Sequence, residues 1–241
     1  MKNLFKILFL SLFMFSCGEN LVEEVRERYD DGKLKLVEYY KKVGDNQQLV
    51  KRINYYENGN ISQETNHKDG YLDGRYVIYY ENGNIEREGM LKGGEEYGEW
   101  KYYYENGNIQ REGMFKGGEE YGEWIYYDDE GKIVEHGVWE NDKEYVTGYY
   151  DSGEIKFKGK RDGFHRQVGL WSWYRENGII KNQGYWTFCT TNDTMFIKIG
   201  SWNRFDEEGK LVKTEIYSDC NGEECPCPND VYGNLLEIIE H

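Results

Sequence analysis

Hydrophobic and polar residues alternate along most of the chain, and short polar segments that contain glycine interrupt the alternation at regular intervals. The segment YYENGNI occurs at 55–61, 79–85 and 103–109, so its copies start 24 residues apart. Residues 79–101 and 103–125 differ only at positions 86/110, 91/115 and 101/125. Asn-Gly between aromatic and β-branched runs is a strong hairpin signal, and alternation with period two is typical of strands. The pattern therefore predicts tandem β-hairpins.

The glycine of this turn recurs in weaker copies outside the identical core. The anchors are Gly32, Gly59, Gly83, Gly107, Gly131, Gly153, Gly178 and Gly209. An aliphatic residue stands two positions after every anchor, and an aromatic residue stands four positions before all but the first. The spacings are 27, 24, 24, 24, 22, 25 and 31 residues. The array is regular in the middle and drifts at its ends, as expected where terminal repeats face solvent or a different neighbour.

Two further positions keep step with the anchor glycine and indicate how the hairpins pack. Tyr or Trp stands seven residues before five of the anchors, and a second glycine stands six residues after five of them. Strand alternation places Trp100 and Tyr102 on one face of the sheet, and Lys101 and Tyr103 on the other. The second glycine is expected to leave room for a large ring from a neighbouring strand.

The recurring pattern G-x-W-x-x-Y-Y-x-N-G-x-I over residues 25–215 resembles the MORN repeat, in the variant found in bacterial YwqK-type antitoxin-like proteins. The resemblance implies an all-β fold, an elongated and twisted antiparallel sheet of tandem β-hairpins. It also implies use as an interaction or membrane-proximal scaffold. Only two prolines occur, both near the C-terminus, which suits continuous strand pairing in the repeats.

The N-terminus has two lysines, an apolar run over 7–15, and then Ser16-Cys17-Gly18. The run is too short to span a bilayer and indicates a secretory signal. It resembles a bacterial lipobox, from which Met14 and Phe15 depart. We predict a signal peptide over 1–16, a lipidated Cys17 followed by a short linker over 17–24, and a site in the bacterial cell envelope, at the outer membrane or cell surface. An uncleaved hydrophobic start or an ordinary free cysteine is the alternative.

The chain is strongly acidic, with 30 basic and 45 acidic residues and a formal net charge of −15. Removing residues 1–16 takes two lysines and no acid, which leaves 28 basic residues against 45 acidic ones, or −17. Such a surface repels phosphate backbones, so the composition argues against nucleic-acid binding. The same charge disfavours direct binding to anionic lipid headgroups, which leaves the acyl anchor as the predicted membrane contact.

Four cysteines remain after Cys17, all in the last quarter of the chain: Cys189, Cys220, Cys225 and Cys227. In an exported protein, clustered cysteines in even number predict disulfides, and the sequence leaves three pairings open. Four thiolates could also bind zinc, although the spacing is unfamiliar for that metal, and free thiols are a third alternative. The bridges would clamp a cysteine-rich C-terminal cap over 216–241.

No motif for catalysis, a metal or a cofactor emerges from the sequence. The four histidines show no paired metal spacing, and no serine lies in a G-x-S-x-G context. The acid pairs Glu95/Glu96 and Glu119/Glu120 are expected to be solvated charges in loops between hairpins, with weak calcium binding as the alternative. These observations predict a protein that is not an enzyme.

The aromatic columns are expected mainly to hold neighbouring hairpins together, while a subset forms a binding strip. We place the predicted binding surface on the two near-identical central repeats, with the candidate residues Trp100, Lys101, Tyr103, Trp124 and Tyr127. Recent duplication without functional meaning would explain their identity equally well. The predicted function is a membrane-anchored scaffold that docks another protein. The alternatives are an antitoxin or immunity protein that binds a toxin, and a module that binds glycan or peptidoglycan.

Overall fold

The fold is all-β and antiparallel in the computed structural model, which describes residues 21–188, 196–217 and 235–241. These ranges contain seventeen strands in one sheet and no helix. Each hairpin follows the previous one along the chain, which confirms the prediction of a sheet of tandem hairpins. Cys17, the signal peptide over 1–16 and the four C-terminal cysteines lie outside the described residues, so the predictions made for them stay predictions.

The chain divides into two compact units, of which the first ends at Tyr97 and the second begins at Gly98. The N-terminal unit contains β1 (Leu21–Arg28), β2 (Leu34–Val43), β3 (Asn46–Tyr55), β4 (Ile61–Lys68), β5 (Tyr71–Tyr79) and β6 (Ile85–Lys92). The boundary falls within β7 (Glu95–Tyr103). β1 begins inside the segment predicted to be a linker, so strand structure starts before the predicted array boundary at residue 25.

The C-terminal unit contains the remaining ten strands. They are β8 (Ile109–Lys116), β9 (Glu119–Tyr127), β10 (Ile133–Glu140), β11 (Lys143–Tyr149), β12 (Ile155–Asp162), β13 (Gln167–Tyr174), β14 (Ile180–Phe188), β15 (Phe196–Phe205), β16 (Leu211–Tyr217) and β17 (Leu235–Glu240). Strand β17 lies inside the predicted cap and pairs with β16.

The eight anchor glycines all lie at hairpin turns, as predicted, and all have positive φ, between 80° and 94°. In one example, the amide of Gly107 donates to the carbonyl of Tyr104, and the amide of Tyr104 donates to the carbonyl of Asn108, both at 2.9 Å. This is a three-residue loop in which a type I turn is followed by a left-handed residue. Glycine suits that position because it has no Cβ to clash.

A second kind of turn closes the hairpins at the opposite edge of the sheet. Gly117 and Gly118 both have positive φ and form a two-residue turn between β8 and β9. Because the Gly-Gly pair supplies the whole turn, the strand resumes at once. The acid pairs Glu95/Glu96 and Glu119/Glu120 therefore begin strands β7 and β9, and the prediction that they lie in loops is wrong.

The repeated turn also joins each repeat to the next one. The Tyr104 hydroxyl donates to the Tyr127 carbonyl at 2.8 Å, and the side-chain amides of Asn106 and Asn108 donate to the Asp129 carbonyl at 2.9 and 2.8 Å. In the N-terminal unit, the Tyr56 hydroxyl makes the same contact with the Tyr79 carbonyl. The segment YENGN thus encodes both the turn and the connection between neighbouring turns.

The core of the C-terminal unit is a row of tryptophans on one face of the sheet, the tryptophan face, formed by Trp100, Trp124, Trp171 and Trp202. Trp124 is fully buried, and its indole covers Gly113, where an added Cβ would lie 2.2 Å from the ring. Trp171 covers Gly159 and Trp202 covers Gly184 in the same way. The prediction that the second glycine leaves room for a ring is confirmed at these three positions.

Candidate interaction surface

The face of the C-terminal unit opposite the tryptophans, here the open face, carries large hydrophobic side chains that are exposed. They follow from strand alternation: Tyr121 is three residues from Trp124 and therefore points to the other side. The exposed row consists of Met114, Tyr121, Tyr145, Leu170 and Tyr185, with exposed fractions of 41 to 56%. Met114 lies directly across from Tyr121, and Leu170 lies across from Tyr185.

A row of polar residues runs beside the exposed row on the open face. Its members pair in register from β11 to β16: Thr147, Lys158, Ser172, Gln183, Asn203 and Thr214. The Gln183 amide donates to the Ser172 hydroxyl at 2.9 Å, and the Thr214 hydroxyl donates to Asn203 Oδ1 at 3.0 Å. This central polar row carries hydroxyl, amide and ammonium groups along six neighbouring strands, and its members Ser172 and Thr214 are buried.

Three lysines occupy every second position of β12 and therefore lie together on the open face. Lys156, Lys158 and Lys160 form no ion pair with any carboxylate of the described residues. The ammonium of Lys160 lies 5.4 Å from the ring centroid of Tyr145, and that of Lys156 lies 5.6 Å from the ring of Tyr150. In a chain with a formal charge of −15, this strand gives the open face a local positive strip.

Trp100 and Trp124 are 1% and 0% exposed, so their rings offer no surface to a partner. The prediction that they form part of a binding surface is corrected. Each indole packs on its own sheet face, with Phe115 edge-on at 5.8 Å from Trp100 and 5.2 Å from Trp124. Sequence reasoning took the most conspicuous aromatic residues as surface and missed Tyr121 and Tyr145, although alternation from the tryptophans places them on the other face.

The other three candidate residues lie on the open face. Lys101 pairs with Glu99 and Glu112, both at 3.1 Å, and these carboxylates raise the pKa of the ammonium. Tyr103 and Tyr127 are half-buried, and the Tyr127 hydroxyl donates to Glu112 at 2.8 Å. That bond and the Lys101 pair lower the pKa of Glu112. A role for Lys101, Tyr103 and Tyr127 in binding stays a prediction.

One repeat departs from the others around Glu144. Nine residues before the anchor, five of the other repeats have a glycine with positive φ, at Gly74, Gly98, Gly122, Gly169 and Gly200. In β9 this glycine accompanies a shift of register with β8, whereas β10 and β11 pair without a shift. The side chain of Glu144 is fully buried and lies over Gly137, where other repeats place an indole.

Glu144 belongs to a charged cluster with Arg161 and Glu135. Arg161 donates to both oxygens of Glu135, at 2.6 and 2.9 Å, and to Glu144 Oε2 at 3.2 Å. Burial raises the pKa of Glu144, although Arg161 opposes the shift. Among the described residues, no group of three or more metal-ligating side chains is placed to hold a metal ion. The cluster has the character of a structural ion pair.

Five segments of the chain match a family model described as MORN repeat variant. They are residues 50–69, 72–92, 96–116, 120–141 and 167–187. Over these five segments the chain is similar to that MORN repeat variant. The stretch 142–166, which contains Glu144 and Arg161, lies between two matched MORN segments and is itself unmatched. Sequence and structure thus agree that this repeat is atypical.

Comparison with whole proteins adds little to the MORN assignment. No curated protein matches the chain. A crystal structure of TcdB2-TccC3-TEV aligns with 84% of this chain but only 15% of its own, at 8% identity and a TM-score of 0.23, which supports no argument. The YwqK-type relationship therefore stays a prediction. In the described part of the chain, no helix is long and apolar enough to cross a membrane.

Proposed function

We propose that this MORN-repeat chain is a non-enzymatic interaction protein that docks another protein on its open face. In the same proposal, a lipid on Cys17 holds it at a membrane of the bacterial cell envelope. MORN repeats generally mediate protein or membrane interactions, which fits the coarse part of this function. The lipid anchor rests on the N-terminal sequence alone.

The exposed row carries the proposal. Met114, Tyr121, Tyr145, Leu170 and Tyr185 lie on one face of one compact unit, and a monomer gains nothing by exposing them together. Tyrosine is favoured at recognition surfaces because its ring is large and its hydroxyl tolerates water. Lysines and short polar side chains border the row and would form the polar rim that interfaces have.

The test uses crosslinking from the open face in cells that express the full-length protein. A photoreactive residue at Tyr145 should trap a discrete partner, and one at Tyr71, which is also exposed but lies in the N-terminal unit, should not. The double variant Leu170→Ala with Tyr185→Ala should then weaken purified partner binding about tenfold or more, as expected when central interface side chains are truncated. Equal trapping from both positions, or unchanged affinity, would refute docking on the open face.

A glycan is a second candidate ligand, favoured by the arrangement of the exposed row and the central polar row. Strands lie about 4.8 Å apart, so equivalent residues of successive two-strand repeats lie about 10 Å apart, close to the length of a disaccharide. Tyrosine rings beside the half-buried Gln183 and Asn203 offer both stacking and hydrogen bonding to such a chain. Retention on purified cell-wall material, lost in Tyr145→Ala with Gln183→Ala, would favour the glycan. Passage through that material without delay would exclude it.

A further inference from the structure

A cleft of about 790 Å³ lies in the C-terminal unit, at the edge of the sheet opposite the anchor turns. Three hairpin ends form it: the β8–β9 turn at Gly118, the β10–β11 turn at Asn141 and Asp142, and the β12–β13 turn at Gly163 to His165. It opens on the edge of the sheet and meets the open face at Tyr121, which belongs to the exposed row and also lines the cleft. The atypical repeat between residues 142 and 166 supplies much of its lining.

Aromatic side chains form the apolar part of the cleft. Trp139 and Phe115 are almost fully buried, whereas the Phe164 ring is 78% exposed. The His165 ring packs edge-on against Trp139, with the ring centroids 5.2 Å apart. His165 has a φ of 58°, at the position that glycine occupies in the anchor turns. The chain therefore holds a non-glycine residue in the left-handed region at the mouth of the cleft, where its ring covers the tryptophan.

Acidic side chains dominate the polar part of the cleft. Glu119, Glu120, Glu140, Asp142 and Asp162 line it, against one lysine, Lys116. Arg111 pairs with Glu120 at 2.7 Å, and Arg166 pairs with Asp162 at 2.7 Å. Glu119, Glu140 and Asp142 take part in no ion pair with any residue that the structure describes. The cleft thus keeps an excess of negative charge next to exposed aromatic surface.

Two lining residues also have unmet hydrogen-bonding capacity, which is independent of the net charge. Trp139 is 8% exposed and its indole Nε1–H has no acceptor, while Glu120 Oε2 is buried and has no donor. Within the described residues, the cleft lacks both an acceptor for the indole and a donor for the carboxylate. Buried polar groups usually have partners, so an unmet donor and an unmet acceptor in one cleft indicate a ligand that supplies both.

We propose that the turn-edge cleft binds a lysine or arginine side chain within a peptide segment of a partner protein. Arg166 already lies over one side of the Phe164 ring, 4.8 Å from its centroid. The cationic group would lie among Glu119, Glu140 and Asp142 and against the other side of that ring, where cation–π attraction adds to the charge pairing. A peptide carbonyl can accept from the Trp139 indole, which a simple ammonium ion cannot do. The proposal shares with the proposed function the choice of a protein partner and one residue, Tyr121, and otherwise concerns a different surface.

The test measures binding of a short fluorescent arginine–glycine peptide to the full chain by anisotropy. Glu140→Gln with Asp142→Asn should weaken binding about five- to tenfold, since exposed charge pairs contribute modestly and two are removed. The matched control, Asp151→Asn with Glu154→Gln, removes the same charge from exposed residues beside the Gly153 anchor turn and should change affinity less than about twofold. Phe164→Ala should weaken binding without changing the net charge.

Three results would overturn the proposal. Equal loss in the cleft variant and in the Gly153-turn variant would mean that the peptide responds to overall charge. Equal binding of an acidic peptide of the same length would exclude a cationic ligand. Free arginine that competes as well as the peptide, at the same concentration of arginine residues, would show that the cleft binds a small cation and would exclude recognition of a peptide. The open-face variant Leu170→Ala with Tyr185→Ala changes two exposed residues that do not line the cleft and should bind the peptide normally, so failure of either proposal is recognisable.

Discussion

The contact between Gly113 and Trp124 gives a sharp test of how the repeats hold together. In Gly113→Ala, the new Cβ would lie 2.2 to 2.6 Å from three atoms of the Trp124 side chain, so the ring must move by more than about 1 Å to reach ordinary contact. Overpacking of this kind costs about 1–3 kcal/mol. If the fully buried ring were expelled instead, losing about 150–250 Å² of burial at 25 cal/mol per Å² would cost about 4–6 kcal/mol.

A double-mutant cycle separates this clash from any other effect of the alanine. Trp124→Ala alone should destabilise by about 3–5 kcal/mol. In that background, Gly113→Ala should cost nothing, and it should even stabilise slightly because alanine restricts the unfolded chain. The assay is urea unfolding of all four proteins, followed by circular dichroism. Equal destabilisation by Gly113→Ala in both backgrounds would refute the packing argument.

Three further predictions concern the turns and the termini. Gly107→Val should destabilise by at least about 1–2 kcal/mol in urea unfolding, because Gly107 has a φ of 91°; Gly107→Asn should cost less, and equal costs would contradict the turn geometry. Cys17→Ala should release the protein from membranes in a fractionation experiment, and a mutant that still pellets after a salt wash would place the anchor elsewhere. Thiol titration of unreduced, metal-free protein from the envelope should find fewer than four free thiols among the four C-terminal cysteines, and four would rule out a disulfide.

The hairpins could be predicted from the sequence because every repeat has the same local pattern of turn and strand residues. The anchor glycine takes a left-handed backbone conformation, and hydrophobic and polar residues alternate in the flanking runs. Because the pattern occurs eight times, it does not arise by chance. The second glycine could also be given a role, since a residue without Cβ beside regular tryptophans indicates close approach. At Gly113, Gly159 and Gly184 the structure places the indole where that reasoning required it.

Which face carries the exposed aromatic residues could not be predicted by the same means. In a one-layer sheet both faces meet water, so burial of an indole depends on the register, which sets Trp124 over Gly113 of the preceding strand. Tyr121 has the same alternation but no glycine opposite it, since Met114 is its partner. Residue type alone suggested the tryptophans as the binding residues, while pairing across strands made them the core.

The cleft could not be predicted from the sequence because it lies where one repeat departs from the common pattern. The shortest spacing, 22 residues between Gly131 and Gly153, marks the atypical repeat. There Val146 stands at the tryptophan position, and Glu144 stands at the position of the left-handed glycine. Strand β11 therefore pairs with β10 without the shift seen in β9, and a carboxylate enters the space over Gly137. Departures from local consistency tend to mark functional or strained sites.

This departure leads to the last prediction, which concerns the response of stability to pH. Glu144 faces Glu135 on β10 and Arg161 on β12. The His165 ring is also close, with its Nδ1 3.8 Å from Glu144 Oε2. The charge of Glu144 contributes to raising the pKa of Tyr126 on β9. Burial raises the pKa of Glu144 above its ordinary value of 4.5. The folded state therefore binds the proton of the Glu144 carboxyl more tightly than the unfolded state does. The contribution of the protonated carboxyl to stability is present at low pH and is lost as pH rises above 4.5.

Glu144→Gln removes this titration while Arg161 keeps both bonds to Glu135. The difference in unfolding free energy between variant and parent should therefore shift in favour of the variant between about pH 5 and pH 7. Glu112→Gln is the matched control of opposite sign, because the Tyr127 hydroxyl and Lys101 lower the pKa of Glu112. Its stabilising contribution is present above 4.5 and is lost below it, so that variant should lose stability relative to the parent at neutral pH and recover it in acid. A Glu144→Gln difference that stays constant from about pH 5 to pH 7 would show that the buried carboxylate is already ionised throughout this range, held so by Arg161.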